Sequence, residues 1–139
     1  MFTHANYTML LDFYELTMAN GYFELGKADE IAYFDVFFRK VPDGGGFVIA
    51  AGLEQLVDYL SNLTFDRDDI EYLRTKGFGE DFLDYLANFK FVCDVWAVPE
   101  GTPIFPGEPI LTVKGPVIQA QFIETMILQR KLRLLVSWL

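Results

Sequence analysis

FVCDVWAVPEGTPIFPGEPILTVKG, residues 91–115, is the stretch that decides the fold. Its apolar alternating runs are short. They are cut by Pro99 and Gly101 and again by Pro106 and Gly107, so each run ends where proline fixes one dihedral and glycine frees another. That texture predicts short antiparallel strands joined by tight turns, as in a small barrel or sandwich.

Lipoyl and biotinyl carrier domains share such spacing, but a carrier presents its lysine at an exposed hairpin tip between hydrophobic neighbours. Lys114 instead stands at a strand end before Gly115 and Pro116, which argues against a carrier. Upstream, IAYFDVFF, residues 31–38, places Ala32, Phe34, Val36 and Phe38 on one face and Ile31, Tyr33, Asp35 and Phe37 on the other. Both faces are largely apolar, so a largely buried strand is expected. Pro42 to Gly46 break it, and FVIAA restarts an extended run. Leu53, Leu56, Val57 and Leu60 then fall at i, i+3, i+4 and i+7, the spacing of a helix with one core-facing stripe. Asp66 precedes a second helix whose Ile70 and Leu73 point inward and whose stop is Gly77, and Phe82, Leu83 and Leu86 mark a third. Downstream, VIQAQFIETMIL, residues 117–128, follows Pro116 as a helix start and is apolar on most sides, which predicts a buried helix.

At 139 residues, 52% hydrophobic and 22% charged, the chain has the length for one domain with a real core. A net charge of −9 argues against a nucleic-acid partner or an anionic membrane surface, and a phosphorylated ligand would need local cations. Cys93 is the only cysteine, and its apolar surroundings predict a buried, reduced thiol rather than a nucleophile. No basic start followed by an apolar secretion segment is present and no apolar run reaches membrane-spanning length, so the cytoplasm is the expected location. The composition flips near the end. Residues 1–128 hold eight Lys and Arg against twenty Asp and Glu, whereas the final eleven hold three basic residues and no acidic one. The flip sets residues 1–128 apart from a tail over 129–139.

Near the start, DFYELTMANGYF, residues 12–23, reads as an amphipathic helix. Met9, Phe13, Leu16 and Met18 with Tyr22 or Phe23 gather onto one broad apolar face, leaving Tyr14 at its border. A border tyrosine is either a packing aromatic with its hydroxyl in water or a flat platform for a ligand ring, and periodicity does not decide between them. Arg39 and Lys40 stand before VPDGGG, where two cations at a glycine-rich turn either bind phosphate or blunt a strand edge. The glycine triplet matches neither the dinucleotide fingerprint nor the P-loop. Asp66, Asp68, Asp69 and Glu71 sit at a helix start, where carboxylates complement exposed amides, so capping explains them better than Mg²⁺. Glu100 and Glu108 occupy turns beside glycine and suggest no catalytic pair. His4, the only histidine, has no partner at metal-ligand spacing. No catalytic or metal-binding residue is assigned.

The run Asp12, Phe13, Tyr14, Glu15, Leu16, Thr17, Met18 resembles the opening signature of nicotinate phosphoribosyltransferases. FDVFFRKVPDGGGFVIAAGLEQLVDYL, residues 34–60, and AVPEGTPIFPGEPILTVKGP, residues 97–116, resemble the same family in the same order. Leu11 stands where many members carry Thr, a departure that leaves Tyr14 in register.

The resemblance implies an α+β fold, the N-terminal α/β sandwich domain of a type II phosphoribosyltransferase, with short antiparallel strands in 91–115 and the catalytic barrel absent. It implies transfer of phosphoribosyl from phosphoribosyl pyrophosphate to nicotinate in NAD salvage, with Mg²⁺ and ATP used by the full-length enzyme and no site for either in this chain. It also implies a homodimer whose site lies between head-to-tail subunits. Tyr14 would be the platform on which nicotinate stacks, and Arg39 would meet the donor phosphates. The histidine that the family phosphorylates lies beyond this chain, and His4 does not take its place. On these grounds the 139-residue chain alone is expected to be inactive. Two alternatives stay open: a related nicotinamide or quinolinate phosphoribosyltransferase, against which DFYELTM and the intact PEGTPIFPGEP turn weigh, and a non-catalytic fragment or association domain.

Overall fold

The computed structural model describes residues 6–41 and 44–129. The elements run α1 (Phe13–Glu24), β1 (Ile31–Val36), β2 (Val48–Ile49), α2 (Leu53–Ser61), α3 (Arg67–Thr75) and α4 (Glu80–Ala87). They continue with β3 (Asp94–Ala97), β4 (Pro103–Ile104), β5 (Leu111–Pro116), α5 (Val117–Phe122) and α6 (Glu124–Gln129).

The 91–115 stretch does form short antiparallel strands, but they make two open sheets rather than a closed barrel. One has the order β1-β5-β3, with Phe34 and Val95 flanking Val113. The other pairs β2 with β4 through Val48 and Ile104. The fold is thus mixed helix and strand with small antiparallel sheets, as expected. Alternation along β5 decides where the helices go: Leu111 and Val113 are buried, while Thr112 and Lys114 turn to the other face. Leu16, Leu73, Phe82, Leu86, Ile118 and Phe122 join that buried face in one core drawn from α1, α3, α4 and α5. A smaller cluster, Val48, Ala50, Ile104 and Ile110, surrounds the two-stranded sheet.

Four expectations are corrected. β1 is not largely buried: Ile31 is 59% and Tyr33 64% exposed, because β1 is a sheet edge whose outer face no described element covers. Val57 does not join the α2 stripe, which closes on Leu56 and Tyr59 instead. The face of α1 is rotated. Phe13 and Met18 are exposed, and the helix buries Glu15, Leu16 and Ala19. Residues 117–128 form two helices rather than one, α5 and α6, parting at Ile123. The amide of Thr125, which a continuous helix would direct to the carbonyl of Gln121, donates instead to the Glu15 carboxylate at 3.0 Å.

Of the four acidic residues read as caps, Asp66 and Asp69 are seen capping and Glu71 pairs with Arg74 instead. Asp66 and Asp69 at the start of α3 exchange amide-to-carboxylate hydrogen bonds of 2.9 and 3.0 Å. Glu71 and Glu80 both bind Arg74. Cys93 is free and half-buried, and burial together with the Asp94 charge pushes its thiol up to about 11, as befits an inert thiol.

Glu100 has a role its turn position did not announce. Its Oε1 accepts from the amides of Gly52, Leu53 and Glu54 at 2.9, 2.7 and 3.4 Å, capping α2 from 46 to 48 residues away. Glu100→Ala should therefore cost about 1 kcal/mol in urea unfolding of the chain, with Glu100→Gln recovering part of it. Equal stability of Glu100→Ala and the parent would remove the cap assignment.

Candidate functional site

The site grows from the start of α1. Glu15, three residues after Asp12, turns its carboxylate back to accept from the Asp12 amide at 3.2 Å. The side chain is fully buried, and its second oxygen takes the Thr125 amide at the start of α6. Thr125 Oγ1 lies 3.3 Å from the Asp12 amide and closes the cluster. Burial raises the Glu15 pKa above the ordinary carboxylate range, Thr125 and Asp12 pull it down by hydrogen bonding, and Glu124 raises it again. A buried carboxylate persists here because amides from two helix starts satisfy it, and in doing so it fixes those starts against one another.

Tyr14 and Glu124 are the residues next to that clamp. Tyr14 is 45% exposed and stacks on no other ring among the described residues, whereas its neighbour Phe13 packs on Phe78 at 5.9 Å. The packing aromatic of the pair is Phe13. The pKa of the Tyr14 phenol is pushed up to about 12, by desolvation first and then by the nearby Glu124, Glu15 and Asp12 carboxylates. It is therefore neutral at neutral pH, with the Glu124 carboxylate near it.

Glu124 also lines a cavity of about 430 Å³ between β1, β5 and the α5–α6 pair. Phe34, Phe37, Ile123 and Ile127 supply apolar walls, and Arg39 is the cation on its lining. Arg39 and Lys40 are exposed, and no ion pair joins either to another described residue. The structure thus brings Arg39 and Glu124 around one cavity and puts Tyr14 near Glu124. Of the glycine-rich turn, Pro42 and Asp43 lie outside the described residues, and Gly44 has a positive φ of 70°. His4 and residues 130–139 also lie outside them. Among the described residues, no group of three or more His, Cys, Asp or Glu side chains is placed to hold a metal ion, and no helix is long and apolar enough to cross a membrane.

Glu15, Glu124 and Thr125 were missed as site residues. The available signal was polarity in an apolar run, since Gln119, Gln121 and Thr125 are buried within 117–128. Nothing local announces that Glu15 reaches across 110 residues.

Comparison with known proteins places these features in a family. The model of the nicotinate phosphoribosyltransferase (NAPRTase) N-terminal domain matches residues 9–130. The chain is 44% identical over 123 residues to nicotinate phosphoribosyltransferase pncB2 of Mycobacterium tuberculosis, covering 88% of this chain and 26% of that protein. It is 39% identical over 120 residues to nicotinate phosphoribosyltransferase 1 of Arabidopsis thaliana, covering 84% and 22% respectively. The crystal structure of human nicotinic acid phosphoribosyltransferase superposes with a TM-score of 0.79 at 37% identity, over 85% of this chain and 24% of that one. The chain spans about a quarter of the length of the relatives it matches. With the domain model covering most of its length, the chain belongs to the nicotinate phosphoribosyltransferase family and corresponds to that family's N-terminal domain.

Proposed function

We propose that this domain supplies part of a nicotinate phosphoribosyltransferase site, in an enzyme that acts as a homodimer. In the reaction the nicotinate ring nitrogen forms a bond to the anomeric carbon of phosphoribosyl pyrophosphate. The bond from that carbon to the pyrophosphate oxygen breaks, and pyrophosphate leaves with the electron pair. Positive charge develops at the sugar carbon, so the chemistry needs a flat surface that aims the ring nitrogen and cations that hold the leaving phosphates.

The observation that carries this reading is the Tyr14 ring. It is half exposed, unstacked among the described residues and near Glu124, which lines the cavity that also holds Arg39. Tyr14 provides the platform for nicotinate and Arg39 a bidentate contact for donor phosphate. Mg²⁺ and ATP belong to the expected full-length enzyme. Among the described residues no group of three or more His, Cys, Asp or Glu side chains is placed to hold a metal ion, so Mg²⁺ is not assigned to them.

Tyr14→Ala, made at the matching position of a full-length relative such as the M. tuberculosis enzyme, tests the platform. Loss of a stacked ring costs about 0.5–1.5 kcal/mol, so the KM for nicotinate should rise roughly 2- to 13-fold with thermal stability unchanged. Tyr14→Phe keeps the ring and should keep most of the affinity. An unchanged KM for nicotinate in Tyr14→Ala, at normal stability, would return Tyr14 to a packing role.

A further inference from the structure

We propose that Glu15 is a positioning residue: its buried carboxylate ties the first turn of α6 to the first turn of α1 and so sets Glu124 beside Tyr14. The functional consequence rests on the reading of Tyr14 as the nicotinate platform, whereas the clamp itself does not.

Three observations converge on it. Glu15 is fully buried, although it stands on the exposed helix start that carries Phe13, Tyr14, Thr17 and Met18. A carboxylate is withdrawn from water at such a position only when donors meet it, and the donors here are one amide from each helix: Asp12 at 3.2 Å and Thr125 at 3.0 Å. The helix from Val117 breaks at Ile123, so the Thr125 amide is free of an intrahelical partner and available to Glu15. Glu124 is the residue before Thr125, and Tyr14 the residue before Glu15. Fixing one pair therefore fixes the other. A tyrosine ring pinned only at its Cα would sweep over the surface, and a Glu124 side chain held beside it narrows that freedom before a ligand arrives.

Glutamine at position 15 preserves the shape but offers one acceptor where two amides need one each, so Glu15→Gln should release one helix start. The chain itself suffices for the first measurement. In NMR at neutral pH, cross-peaks between the Tyr14 ring protons and the Glu124 side chain should fall by more than half in Glu15→Gln, while those between α1 and α5 persist. Undiminished Tyr14–Glu124 cross-peaks in a folded Glu15→Gln chain would overturn the proposal.

If Glu15→Gln does not fold, the parent chain decides. The Asp12 and Thr125 amide protons should be protected from exchange, and both should shift together as one carboxyl titrates with a pKa above the ordinary range. Independent titration of the two amides would overturn the clamp.

The functional arm uses Glu15→Gln at the matching position of the full-length M. tuberculosis relative. The KM for nicotinate should rise severalfold while that for phosphoribosyl pyrophosphate stays within twofold. Equal rises in both would overturn the functional claim and leave Glu15 a structural clamp. None of the NMR readouts involves nicotinate, so a failed Tyr14→Ala test and a failed clamp remain distinguishable.

Discussion

Incubated with nicotinate, phosphoribosyl pyrophosphate, Mg²⁺ and ATP, the 139-residue chain should form nicotinate mononucleotide no faster than buffer. The expectation follows from magnitudes. Enzymes typically lower barriers by about 8–23 kcal/mol. The groups proposed here are one stacking ring, worth about 0.5–1.5 kcal/mol, and one charge-assisted hydrogen-bonding cation, worth about 1.5–3 kcal/mol. Their sum falls short of the lower bound, and the described residues offer no cluster to hold a metal against the leaving phosphates. The chain also spans about a quarter of the length of the relatives it matches, so most of their length has no counterpart in these residues. Product measured by chromatography, with a full-length relative as positive control, is the test. Turnover above the buffer rate would show that a donor site is built within these residues and would overturn the division of labour proposed for Tyr14 and Arg39.

What was legible in the sequence was whatever is encoded locally. Proline and glycine at 99–101 and 106–107 punctuate the short strands, and Gly101 and Gly107 both adopt positive φ, 82° and 83°, as those turns require. Asp66 caps α3 and Gly77 follows it with φ of 90°, so a cap and a stop were readable from single residues. Tyr14 is exposed, but the face whose border periodicity gave it is rotated.

The misses share a physical cause, which is that burial and polar pairing are settled by partners distant in sequence. Apolar residues on both faces of 31–38 predict burial only if both faces are covered, and β1 lies at an edge. Nothing in the sequence sets Glu15 apart until Thr125 meets it, and residues 117–128 read as one helix until the same contact ends it. Glu100 reads as a turn residue until the amides at 52–54 arrive. The core was found by pattern and the site's second layer was not, because no period records a contact across 110 residues.

Arg39→Ala, at the matching position of a full-length relative, should raise the KM for phosphoribosyl pyrophosphate by about 13- to 160-fold, the worth of a charge-assisted hydrogen bond of roughly 1.5–3 kcal/mol. The KM for nicotinate should change far less. Arg39 is exposed, forms no ion pair with another described residue and lines the cavity that Glu124 shares, so removing it breaks no internal pair and leaves stability near the parent's. Arg39→Lys should rescue only part of the loss, because lysine restores the charge without the planar fork that grips two phosphate oxygens. If the site forms between subunits, as proposed, a protomer carrying Arg39→Ala mixed with one inactivated elsewhere should regain activity. One of the two sites in that heterodimer draws intact parts from both chains. Equal rises in both Michaelis constants, or loss of folding in Arg39→Ala, would instead make Arg39 a strand-end charge that blunts the exposed edge of β1.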